Sequence, residues 1–303
     1  MFSPNAMVAS STPYLQLHRQ RPRFVASFNR ATNHCDGSKS HGADFSPHSG
    51  CSGFADAIRS TTELVNTEYA DLELTYKLPP QVGRVRTRQH VNPLSSKFSV
   101  PAAVPDWDVV FKNPALPLVV DIGCGSGRFL LWLAKRNSDT RNYLGLEIRK
   151  KLVERANCWL KELTLHNIHF VYANATVSFQ QLISSYPGRL MMVFILCPDP
   201  HFKTRHQKRR VVQKALVESI VSNLASGGQV LVQSDVHEVA LDMRNHFDNS
   251  PDLQHVNIVE PTSFPFDKDG WLLRNPMGIR TEREIHAELE GSRIYRRMYV
   301  KRP

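Results

Sequence analysis

Residues 118–127 read Leu-Val-Val-Asp-Ile-Gly-Cys-Gly-Ser-Gly, and no other stretch limits the fold as tightly. Leu118-Val119-Val120 has the length and composition of a short buried strand. It runs directly into alternating glycines at Gly123, Gly125 and Gly127. Glycine adopts positive φ without steric cost, so such a turn can bring backbone close to a ligand. Phe129, Leu130 and Leu133 then recur at helical spacing over 127–135. Strand, glycine turn and helix together form the first unit of a doubly wound sheet.

The alternation continues. The pattern predicts strands over 143–148, 169–173, 191–196 and 229–233, with helices over 150–165, 176–185 and 207–224. The last helix carries Val212, Leu216, Ile220 and Leu224 at i, i+4 spacing, with Gly227-Gly228 as its stop. The expected fold is a Rossmann-like, mostly parallel sheet with helices on both faces. Such sheets bind ligands beyond the carboxyl ends of their strands, at the switch point. That rule gathers the glycine turn, Glu147, Asn174-Ala175 and Asp199 on one rim.

A dinucleotide fingerprint needs a small residue where this chain has Arg128, which argues against a nicotinamide enzyme. What remains is D-x-G-x-G-x-G followed by Glu147. A carboxylate at a strand tip suits paired ribose hydroxyls, and Asp121 suits a cationic sulfonium and amine. S-adenosylmethionine (SAM) combines these groups. Asn174 offers an amide for an adenine edge, and it is equally an ordinary turn residue.

The other end of the site is signalled by Pro198-Asp199-Pro200 followed by His201-Phe202-Lys203-Thr204-Arg205-His206-Gln207-Lys208-Arg209-Arg210. One proline-bracketed acid stands beside five Lys/Arg and two His. The acid can accept from a base edge while the cations hold phosphates. A formal net charge of +10 agrees with a polyanionic partner. The five cysteines form no C-x-x-C pair, and neither they nor the thirteen His show metal-ligand spacing, so no metal is expected. No apolar run approaches the ~20 residues of a membrane span.

Three regions are expected: 1–55, 56–116 and 117–303. The first 35 residues lack Asp and Glu but contain Arg19, Arg21, Arg23 and Arg30 with many Ser. This is the composition of an organellar transit peptide, with a plastid address preferred over a mitochondrial one, followed by a disordered linker. Prolines and a second basic patch, 84–90, mark 56–116 as a wrapping segment.

Four segments resemble the tRNA (guanine-N7)-methyltransferase family: Asp121–Gly127, Gly145-Leu146-Glu147-Ile148, Cys197–Lys203 with Arg205–Arg210, and Thr281-Glu282-Arg283-Glu284. The resemblance runs from about Arg84 to the C-terminus. It implies a seven-stranded class I SAM-dependent methyltransferase that makes 7-methylguanosine, expected at variable-loop guanosine 46 of tRNA. It implies cofactor contacts at Asp121, Gly123, Gly125, Gly127, Glu147, Ile148, Asn174, Ala175 and Asp199, with Asp199 as the principal active-site acid. Substrate contacts are implied at Lys203, Asp235 and the segment Thr281–Glu284, with Thr281 and Glu284 singled out, and Arg205, Lys208, Arg209 and Arg210 are placed on the tRNA backbone. Bacterial members often place Trp after Pro-Asp-Pro, where this chain has His201; the cationic continuation favours a single-subunit enzyme. The alternatives are a SAM enzyme for another RNA and a non-catalytic or partner-dependent RNA-binding subunit.

Overall fold

Strand β1, Leu118–Ile122, is buried at every residue and divides the core by simple alternation. Leu118, Val120 and Ile122 enter one apolar layer while Val119 enters the other, as the two-residue period of a strand requires. The computed structural model describes residues 61–74, 90–256 and 265–303. The expected transit peptide and residues 84–89 of the second basic patch lie outside them.

β1 stands at the centre of a seven-stranded sheet of order β3-β2-β1-β4-β5-β7-β6. The other strands are β2 (Asn142–Glu147), β3 (Ile168–Tyr172), β4 (Leu190–Leu196), β5 (Leu224–Ser234), β6 (Leu253–His255) and β7 (Tyr295–Lys301). β1 to β5 pair in parallel, whereas β7 runs antiparallel to both β5 and β6. The chain leaves β1 toward β2 on one side and later returns to add β4 on the other, so the switch point lies between β1 and β4.

Helices α1 (Arg128–Arg136), α2 (Lys150–Leu163) and α6 (Glu282–Leu289) cover the layer containing Val119. Helices α3 (Ala175–Ser184), α4 (Lys214–Asn223) and α5 (His237–Asp248) cover the layer containing Val120. Residues 61–74 pack onto the first layer through Val65, Tyr69 and Leu72. Arg280 ties them down through an ion pair to Glu68 at 2.7 Å.

Two expectations fail around residue 210. The helix predicted over 207–224 is α4 alone; Thr204–Arg209 forms a 3-10 turn before it. Repulsion among neighbouring cations disfavours a continuous α-helix there, and Arg210 is drawn inward by Glu238 and Asp242 at 2.5 and 3.2 Å. Gly227-Gly228 does not stop the helix either. α4 ends at Asn223, and both glycines lie within β5, where the pairing with β4 shifts register and Gly227 has φ 73°.

Candidate active site

The floor of the site is the turn from β1 to α1. Gly123, Gly125 and Gly127 all take positive φ, at 82, 58 and 83°. Conformation is only part of the requirement at Gly127. A Cβ there would lie 2.8 Å from the Phe170 ring and 2.9 Å from Ala156 Cβ, so no larger residue lets α1 settle against β3 and α2. The amides of Gly123 and Cys124 donate to the Leu146 carbonyl, fixing the turn to β2.

Glu147 ends β2 with its carboxylate buried beside this turn. Its Oε2 accepts from the Gly125 amide at 3.0 Å and from Arg149 Nη2 at 3.1 Å. Its Oε1 accepts from the Arg149 amide and Nε, both at 2.9 Å. Burial works against the Arg149 charge, but the bonds to Glu147 prevail and hold its pKa above the usual value. Asp121 lies deeper. Burial, reinforced by the Glu147 charge, raises its pKa to about 8, and its Oδ1 has no hydrogen-bond partner.

Above the turn opens a cleft of about 460 Å³, within the range of small-molecule sites. Gly123, Glu147, Ile148, Asn174, Ala175, Asp199, Arg209 and Asp235 line it, bringing eight predicted residues together. Asp121, Gly125 and Gly127 support the floor without lining the cleft. Asn174 caps α3: its Oδ1 accepts from the Thr176 amide and hydroxyl, while its Nδ2 donates to the carbonyls of Pro93 and Phe98. Both ends of the amide are thus engaged, and they tether residues 93–98.

At the mouth, Asp199 sits on a loop bracketed by two strained residues. Cys197 has φ 51° and His201 φ 43°, values that non-glycine residues avoid and that concentrate at functional sites. The Asp199 carboxylate meets His90 Nδ1 at 2.8 Å and His201 Nε2 at 3.7 Å. Burial lowers the His201 pKa even though Asp199 opposes it. Asp235 pairs with Arg283 at 2.5 Å across the cleft wall.

The predicted tRNA-binding residues divide. Lys203, Arg205 and Lys208 are exposed on the loop after Asp199, and Arg209 is half-buried on the cleft wall. Arg210 is not a surface cation: it is buried, donates to the Pro200 carbonyl at 2.9 Å and pairs with Glu238 and Asp242. It braces the active loop against α5. Thr281 and Glu284 are also placed away from the cleft. They form the capping box of α6, each side chain accepting from the other's backbone amide. Glu284 is wholly buried and ion-paired to Arg296. The Thr-x-x-Glu spacing alone carries that structural role.

Sequence reasoning missed Arg149, and it missed His90 as an active-site contact; within the Thr281–Glu284 segment it is Arg283 that lines the cleft. Arg149 was within reach, two positions beyond Glu147. His90 contacts Asp199 across 109 residues of sequence, and no local pattern announces that pairing.

The geometry fits SAM. A turn with three glycines at positive φ, a carboxylate at the tip of β2 and a largely apolar cleft wall meet at the switch point. Gly125 and Arg149 already use the acceptor positions of Glu147, so ribose hydroxyls would bind there by exchange with the Arg149 fork.

Residues 115–297 match the family model Methyltransf_4, described as "Putative methyltransferase". The tRNA (guanine-N(7)-)-methyltransferase of Synechococcus elongatus is 43% identical over 223 residues, covering 73% of this chain and 99% of that protein. The enzyme of the same name from Trichormus variabilis is 45% identical over 218 residues, covering 72% and 96%. That from Synechocystis is 44% identical over 223 residues, covering 73% and 100%. At this identity over nearly the whole length of each relative, the chain belongs to the tRNA (guanine-N(7)-)-methyltransferase family.

Proposed function

We propose that this chain transfers the methyl group of SAM to N7 of a guanosine in tRNA, at guanosine 46 of the variable loop. The observation that carries the reading is Asp199, held between positive-φ Cys197 and His201 at the mouth of a glycine-floored cleft. Outside that mouth stand Lys203, Arg205 and Lys208, all exposed. The placing of the target at position 46 is supported by family resemblance.

Bound SAM supplies a methyl group on a positively charged sulfur. Guanine N7 has an in-plane lone pair and no proton, so attack needs no general base. The protein's task is alignment, which is worth several kcal/mol when reacting atoms are held in line. Asp199 can accept from guanine N1–H and the N2 amine, fixing the base edge. The same carboxylate stabilises the cationic base as it forms. The exposed cations meet the phosphates and set register without reading sequence.

We also propose that the enzyme acts as a single subunit and is directed to the plastid. Support for the latter is the acid-free, Arg- and Ser-rich beginning, together with the cyanobacterial source of the relatives named above. The test is incubation of the full chain alone with SAM and unmodified tRNA transcript, followed by nucleoside mass spectrometry and mapping of the modified position. 7-Methylguanosine at position 46 is the expected product. SAM binding without product would refute single-subunit methylation of tRNA.

A further inference from the structure

His201 and Phe202 reverse the ordinary partition between inside and outside. His201 is 9% exposed, whereas Phe202 next to it is 63% exposed. An imidazole loses hydration on burial and an exposed phenyl ring forgoes it, so folding alone favours the opposite arrangement. The reversal occurs at the strained residue, His201, with φ 43°. It also occurs at the cleft: Phe202 lines the cavity with Asp199, Pro200 and His201, and the exposed Lys203 follows. Among the described residues no other ring stacks on Phe202 and no cation sits over it.

We propose that Phe202 stacks on the purine that receives the methyl group and stabilises the positive charge that develops there. This rests on the methyl-transfer reading above. As the N7–carbon bond forms, the carbon–sulfur bonding pair returns to sulfur. The positive charge passes from sulfur to the purine, and no proton moves at N7. Before transfer the base is neutral and a phenyl face offers ordinary stacking. After transfer the base is a cation, and the electron-rich face of the ring attracts it. The contact therefore strengthens along the reaction coordinate, which is the condition for raising kcat and not merely lowering KM. Asp199 acts on the edge of the base; Phe202 acts on its face.

The test is a series at position 202 in the full chain, assayed on tRNA transcript under saturating and subsaturating conditions. Phe202→Leu keeps apolar bulk without the π face, Phe202→Trp strengthens the face, and fluorinated phenylalanines withdraw its electron density stepwise. A cation–ring contact of ordinary strength corresponds to a fall in kcat of about 2- to 30-fold on its loss. The expected result is a graded fall in kcat with fluorination, a similar fall in Phe202→Leu, and near-normal kcat in Phe202→Trp. SAM affinity and the melting temperature should stay unchanged throughout. Constant kcat across the fluorinated series would overturn the proposal, as would a change confined to KM for tRNA, which would assign the ring to a neighbouring, uncharged base. The unsubstituted chain is the control: if it binds SAM and makes no 7-methylguanosine, single-subunit methylation of tRNA fails, independently of any comparison among the variants.

Discussion

Replacing Glu284 with alanine separates a substrate contact from a structural one. The Glu284 carboxylate accepts from Arg296, from Asn275 Nδ2 at 2.9 and 3.0 Å, from Gln233 Nε2 at 3.3 Å and from the Thr281 amide at 3.3 Å. Burial raises its pKa despite Arg296, Asn275 and Thr281, so desolvation outweighs the pairing. A pair of this kind adds little net stability when intact, yet breaking it leaves the partner charge buried without compensation. Arg296 is only 7% exposed and would be stranded. The expected loss is about 3–5 kcal/mol. In a domain of this size that lowers the melting temperature by roughly 6–20 °C. Replacing both partners, Glu284→Leu with Arg296→Met, should recover most of the loss, because no unpaired charge remains. Thermal unfolding followed by circular dichroism supplies the temperatures, and methyl transfer measured well below both transitions supplies kcat. A melting temperature within 2 °C of the parent, combined with a large loss of kcat, would refute the structural assignment and return Glu284 to the substrate.

Asp121 should make the cofactor-free protein less stable as pH rises. Its folded pKa is raised from 3.8 to about 8, so between those values the folded state holds a proton that the unfolded chain releases, and stability falls with pH through that window. Asp121→Asn should flatten the decline and melt higher than the parent at pH 8; parallel curves would reject the assignment. Neutralising Lys203, Arg205 and Lys208 together should reduce the slope of log K against log salt for tRNA by about 2 to 3, with SAM binding intact. An unchanged slope would mean that these exposed side chains do not meet phosphate.

The parallel part of the fold was legible because its signals are local. Leu118-Val119-Val120 before alternating glycines, and apolar residues at helical spacing after them, need no knowledge of the rest of the chain. Gly123, Glu147, Asn174, Ala175 and Asp199 followed from one topological rule applied to strand tips, whereas Ile148, Arg209 and Asp235 came with the family resemblance. The failures share a different cause. Arg210 looks like its neighbours in sequence, but Glu238 and Asp242 pull it inward, and that pull comes from α5. Glu284 lies in a segment that also reads as a capping box; its burial depends on Arg296 of β7 and Asn275. Gly227-Gly228 resembles a helix stop, yet the strand pairing of β5 with β4 overrides that local preference. Phe202 carries no periodic signal, since its exposure is set by the turn at His201.

The central claim is that Asp199 aligns the base and stabilises its charge without being needed to bind either partner. The most direct test is Asp199→Ala in the full chain, with single-turnover methyl transfer measured beside equilibrium binding of SAM and of tRNA. The expected result is a rate loss of about 100- to 1,000-fold, the scale of one well-placed electrostatic group, with both affinities within a few-fold of the parent. A near-normal rate, or a loss explained entirely by failure to bind SAM, would contradict the account.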